Sequence, residues 1–216
     1  MPLAIDSTGY GYGSTGTFSY SHTCSGSDRV LVVGISDRNG NANGDVVTGV
    51  TYNGVAMTRV EYYTAGSLQC AAWLYVLINP ATGTHNVTVS NSNSAIALSS
   101  TSASYTGCDQ TTQPSSHNQG AATTQNYGLA VTSPTNGWVV SFISSYYTAI
   151  TSITNGTDRT GASYAYAKLA DSNSAVSGSY TITFNSSNSS PYSYTIVQLT
   201  LNPLATVNTA SFFALF

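Results

Sequence analysis

Apolar and polar residues alternate along most of this chain with a period of two, and clusters of Gly, Asn, Pro and Ser interrupt the alternation. A period of two sends successive side chains to opposite faces of an extended backbone, so the pattern predicts strands. They fall over Thr15–His22, Arg29–Ser36, Val46–Tyr52, Val55–Tyr62, Gln69–Ile78, His85–Ser90, Ala95–Thr106, Thr123–Val131, Trp138–Ser144, Gly161–Leu169, Ser179–Phe184 and Tyr192–Leu201. The Asn53-Gly54 pair between two of them is a strong hairpin signal, because a type I′ turn needs positive φ at both central residues. Asn79–Gly83 reads as a longer hairpin loop, and Ser90–Ser94, Asp109–Gln119 and Asn185–Ser190 as polar loops at a rim. No segment carries the 3.6-residue period of an amphipathic helix. Short strands punctuated in this way predict an all-β fold, a jelly-roll-like antiparallel β-sandwich forming a single domain over 1–204.

Beyond Leu201-Asn202-Pro203 the pattern changes. Residues 205–216 form an apolar C-terminal extension, with Val207 followed by Phe212, Phe213, Leu215 and Phe216. Free termini fray, and an apolar one left in water forgoes about 25 cal/mol for each Å² it could bury. Two placements answer this: an additional strand packed on its own sandwich, or a strand donated to a neighbouring copy. Alternation puts Phe213 and Leu215 on one face and Phe212 and Phe216 on the other. A segment apolar on both faces suits burial between two surfaces.

Composition narrows the function. Only 6% of residues are charged, against roughly 25% in an ordinary domain. Disorder does not account for this, since 41% of residues are hydrophobic and 16 are tyrosine. The surface is therefore Ser, Thr, Asn, Gly and Tyr, with little charge to hold neighbours apart. The five cations at 29, 38, 59, 159 and 168 are scattered, which argues against a phosphate-binding surface and so against nucleic acid. No apolar run reaches the length of about 18 residues that a membrane-spanning helix needs. Met1–Asp6 lacks the basic and apolar stretches of a secretory signal, so export would use a signal already removed or another route, such as a virus particle.

Four segments carry a resemblance: His22–Ser36 (HTCSGSDRVLVVGIS), Val47–Thr58 (VTGVTYNGVAMT), Leu74–Val89 (LYVLINPATGTHNVTV) and Ala103–Gln110 (ASYTGCDQ). They resemble a family found in tailed-phage and environmental bacterial genomes, whose members are tail-associated or extracellular structural proteins with a sandwich fold. The likeness runs from residue 1 to about 202. It implies a structural role and brings no catalytic residues with it. Two features depart from the family pattern: a long loop at Asp37–Asp45 and the tail after Leu204. A disulfide, if one forms, would join Cys70 to Cys108.

Candidate chemistry is sparse. Gly11–Gly16 matches G-x-G-x-x-G but opens no helix, so a flexible glycine turn is the better account than a dinucleotide site. Asp37–Asp45 offers oxygen ligands at alternate positions like a calcium loop, yet Ala42 and Thr48 stand where Gly and an acid are needed. His22, His85 and His117 lie in no nucleophile motif, and Glu61 is the only glutamate, so nothing marks a catalytic pair. Sequons place candidate glycosylation at Asn86, Asn155, Asn185 and Asn188. The expectation is a non-enzymatic subunit, without cofactor or metal, that polymerises with copies of itself as an extracellular filament or virion-associated appendage. Its rival is a glycan-binding module that stacks sugars on Tyr62-Tyr63, Tyr146-Tyr147, Tyr192 or Tyr194.

Overall fold

The computed structural model describes residues 1–14, 16–37, 44–64, 70–93, 97–146, 148–160, 164–186 and 193–205. Among these the protein is all-β, with no helix and hence no helix able to cross a membrane. The strands of the first half are β1 (Ala4–Gly13), β2 (Phe18–Cys24), β3 (Val30–Asp37), β4 (Val47–Tyr52), β5 (Val55–Ala56), β6 (Thr58–Thr64), β7 (Ala71–Ile78), β8 (Gly83–Asn91) and β9 (Leu98–Thr106). Those of the second are β10 (Ser116–Ala122), β11 (Asn126–Ser145), β12 (Ile150–Thr154), β13 (Thr157–Asp158), β14 (Ala167–Asp171), β15 (Val176–Ser186) and β16 (Tyr194–Leu201).

All pairing is antiparallel. One sheet runs β1-β9-β3-β7-β6 and a second β2-β8-β4-β5. The third runs β10-β16-β11-β14-β13 and folds back on itself, because β11 serves two layers. Residues Asn126–Ser133 of β11 pair with β15, and Trp138–Ser145 pair with β16. Between them Pro134, which has no N–H to give the ladder, and Asn136 at φ 61° turn the strand from one layer to the next. The expected strands Thr123–Val131 and Trp138–Ser144 are thus one bent strand.

The result is a stack of four layers with three cores. Leu31, Val33, Ile35 and Trp73 of the β3 sheet meet Val50, Tyr52, Val87 and Val89 of the outer β8 sheet. The opposite face of the β3 sheet, with Val30, Val32, Leu74 and Tyr105, meets Val140, Phe142, Leu169, Val197 and Leu199. Beyond that layer, Val139, Ile143 and Ile196 pack on Val131, Ile182 and Phe184. The burial pattern follows directly. β3 (VLVVGISD) and β16 (YTIVQLTL) are buried along their whole length, since both faces are covered, whereas the outer strand β2 alternates. The antiparallel sandwich expected from the sequence is present, and it is present twice.

The two sandwiches share one plan. The order β1-β9-β3-β7-β6 recurs as β10-β16-β11-β14-β13, and β2-β8-β4 recurs as the first part of β11 with β15 and β12. Their turns repeat as well. Asn53 (φ 50°) before Gly54 matches Asn155 (φ 57°) before Gly156, Asn79 (φ 51°) matches Asn173 (φ 52°), and Gly83 matches Gly178. Asn53 and Gly54 both have positive φ, as the hairpin signal required. Equivalent residues meet on a pseudo-twofold axis: Ser36 Oγ lies 2.6 Å from Ser144 Oγ, and Gly34 leaves room for the Phe142 ring. The segments after β9 and β16 also cross there symmetrically. Cys108 bridges Pro203, flanked by Asp109 N–H to Asn202 O at 3.0 Å and Leu204 N–H to Gly107 O at 2.8 Å.

Several expectations need correction. Gly11–Gly13 is no loose turn but the end of β1, and Ser116–Gln119 leaves its expected loop to join β10. β15 continues through Asn185 to Ser186, where a rim loop was expected to begin. The three cysteines are free and buried, so the Cys70–Cys108 bridge is not formed. Cys70 adjoins Ala71, the partner of Asp37 at one end of β3, while the N–H of Cys108 bonds Asp28 O beyond the other. A strand of eight residues separates them by about 25 Å, and a disulfide needs Cα atoms within about 7 Å.

Candidate assembly surfaces

Where β11 bends, the second sandwich ends in a groove of about 890 Å³. Leu3 and Trp138, each 6% exposed, form its floor, and Pro203, Leu204 and the exposed Ala175 form its sides. No charged side chain lines it among the described residues. The sequence builds it from three backbone devices. Asn136 and Asn173 supply the two positive-φ turns at its rim, and Gly107 (φ 70°) lets the Pro2 carbonyl lie where a Cβ would stand. Tyr105 meets the Trp138 ring edge-on at 5.9 Å, which orients the indole from behind.

The corresponding end of the first sandwich is closed by the chain that follows β9. Gln110 Nε2 donates to Arg29 O at 3.2 Å and Cys108 O at 3.0 Å, and Arg29 holds Pro80 O and Asn79 Oδ1. After β16 the same path runs through Asn202–Ala205, and the described chain stops at the rim of the groove. Val207, Phe212, Phe213, Leu215 and Phe216 lie outside the described residues, as does Asn188.

A second surface is aromatic. Tyr10 and Tyr12 point from one face of β1, and Tyr12 is 52% exposed. Tyr10 lies 5.6 Å from Tyr164, which lies 6.3 Å from Tyr166, so three half-buried rings adjoin one another, with the exposed Tyr12 two residues from Tyr10 on the same strand face. The other face of β1 is glycine, and it lets Phe18 and Tyr20 of β2 rest on bare backbone at Gly13 and Gly11. Of the tyrosines expected to stack sugars, Tyr194 is buried, Tyr62 is stacked on Trp73 at 5.1 Å, and Tyr63 packs against the shared core. Tyr146 is partly buried, and Tyr147 and Tyr192 lie outside the described residues.

A polar seam gathers serines, a histidine and an acid. His22 accepts or donates at both ring nitrogens, to Ser102 Oγ at 2.8 Å and Ser7 Oγ at 3.2 Å. Asp6 accepts from Ser104 at 2.8 Å and from Ser25, and does not touch the imidazole. His22 is 2% exposed, and burial pushes it down to about 4, so it is neutral at ordinary pH. The seam ties β1 to β2 and β9. His85 turns instead to Thr82 O, and His117 to Glu61. Burial pushes the Cys70 thiol up to about 11 and Cys108 up to about 12, which leaves both protonated. Asp45 of the expected calcium loop is engaged by Arg59 and by Trp73 Nε1 at 2.8 Å, Asp37 is buried, and 38–43 lie outside the described residues. Asn86 and Asn155 are exposed, whereas the Asn185 amide is tied to Ser152 and Thr154.

Set against known protein families and curated proteins, the chain finds no match.

Proposed function

We propose that this chain is a structural subunit that assembles with copies of itself into an extracellular fibre or a particle appendage. The observation that carries this reading is the mainly apolar groove at one end, lined by no charged side chain among the described residues, beside the point from which the apolar extension continues over 206–216. The scarcity of charge supports it, since lateral neighbours meet little repulsion. The motif resemblance to tail-associated structural proteins points the same way. In this role the work is mechanical, with rigid stacked sheets transmitting load and the tail and flanks making contacts. Light scattering and negative-stain microscopy of purified protein test it. Assembly should grow with concentration and change little between low and high salt, because screening acts on charges the surface lacks. A monomer at every concentration would sink the reading.

The Tyr10–Tyr12–Tyr164–Tyr166 group favours a second reading, a module that binds neutral glycans by stacking. Retention on an insoluble neutral polysaccharide, lost by several-fold in Tyr12→Ala, is its expected signature. Equal retention of both proteins would remove it.

A further inference from the structure

We propose that the groove floored by Leu3 and Trp138 is the acceptor for residues 206–216 of a second copy, and that two copies exchange these segments reciprocally. This rests on the self-assembly reading and specifies its contact.

The internal repeat supplies the first argument. Within the chain, the segment after β9 covers the end of its own sandwich and then delivers β10 to the neighbouring one, where it pairs with β16. β10 opens at Ser116, ten positions after Thr106; the same count from Leu201 reaches Ser211, immediately before the apolar block. The tail therefore stands where the first half keeps a strand that crosses to another sandwich.

Chemistry supplies the second. The groove offers Trp138, Leu3, Pro203 and Leu204 without a charged side chain among the described residues, and the tail offers Phe212, Phe213, Leu215 and Phe216 without one. The spacer Thr206-Val207-Asn208-Thr209-Ala210-Ser211 contains no Gly or Pro, and its β-branched residues favour extension. Six residues, if extended, would carry the block about 20 Å from Ala205, far enough to reach a second copy. Because groove and tail exit share one end of the molecule, a twofold pair satisfies both tails at once. Longer assemblies then grow from that pair through the weakly charged flanks.

The test uses the full chain, a chain ending at Ala205, and Ala175→Arg, which sets a cation on the exposed rim outside every core. Light scattering should find the intact chain paired or in multiples of a pair, the shortened chain monomeric, and Ala175→Arg weakened at least tenfold. Mixing the shortened chain with Ala175→Arg should form a one-to-one complex that neither forms alone, since one supplies an open groove and the other a tail. Should the shortened chain fail to fold, Ala175→Arg still decides. If Ala175→Arg associates like the intact chain, the groove is not the acceptor, although self-assembly stands. An intact monomer whose Trp138 becomes more open to acrylamide on truncation would show the tail folded on its own chain and overturn the exchange. An intact monomer with no such change would remove the self-assembly reading itself.

Discussion

At the scale of single residues, glycines and one histidine do work that apolar side chains usually do. A Cβ on Gly11 would fall inside the Tyr20 ring, so Gly11→Ala should cost about 1–3 kcal/mol in a urea titration as the outer sheet is pushed away. Gly49→Ala, where a Cβ meets nothing within 4 Å, should shift stability by less than about 0.5 kcal/mol. Similar losses at both sites would show that the Tyr20 contact does not set the cost. His22 sets a pH dependence. Burial lowers it from 6.5 to about 4, with the Asp6 charge opposing, so between those values the unfolded chain binds the proton and the folded chain does not. Stability is therefore complete above pH 6.5 and declines as pH falls toward 4, by roughly 3 kcal/mol in all. His22→Gln should flatten the melting-temperature profile across that window, and an unchanged slope would assign the acid sensitivity to other groups.

At the scale of elements, the same period-two reading that found the long strands missed β1. Ser7, Gly9, Gly11 and Gly13 alternate with Thr8, Tyr10 and Tyr12, a strict strand pattern in which glycine occupies the inward face. Counting only apolar side chains hides it, because the apolar mass on that face comes from Phe18 and Tyr20 of the partner sheet. β9 was legible as a strand, but Ser100, Ser102 and Ser104 gave no sign of being fully buried. Their hydroxyls face Tyr20, His22 and Asp6, and such partners are set by topology that no local pattern reveals. A further element-level contact joins the two sandwiches. Arg159 grips the buried Asp171 with two hydrogen bonds of 2.8 Å, and Tyr105 of β9 donates to Asp171 at 3.1 Å. Arg159→Met would leave that carboxylate without a cation and should cost about 3–5 kcal/mol, well above the roughly 2 kcal/mol for Tyr105→Phe. Urea midpoints in the opposite order would mean that the Tyr105 hydrogen bond, not the Arg159 ion pair, is the main support of the Asp171 carboxylate.

At the scale of the whole molecule, the repeat was the feature least visible in the sequence. Asn53 and Asn155, Asn79 and Asn173, Gly83 and Gly178, and Ser36 and Ser144 are equivalent, yet no two of these pairs share one spacing. Insertions between strands hide the period, and the helical and solenoid repeats that are easy to see keep theirs fixed. The end groove was hidden for the same reason, since Leu3, Trp138, Ala175 and Leu204 converge from four distant places. The repeat bears on stability, because the two halves share the core that holds Val30, Leu74, Tyr105, Phe142, Leu169 and Leu199. If one sandwich unfolded alone, the other would expose a whole sheet face built of these residues, which the hydrophobic effect strongly disfavours. The two sandwiches should therefore unfold as one unit. Trp73, fully buried in the first sandwich, should lose its fluorescence signature at the temperature where hydrogen exchange along β15 of the second becomes global. Leu199→Ala, in the shared core, should lower both midpoints together by the equivalent of about 2–5 kcal/mol. Two separated transitions, or a Leu199→Ala effect confined to one probe, would mean that each sandwich stands alone and the shared core only glues them.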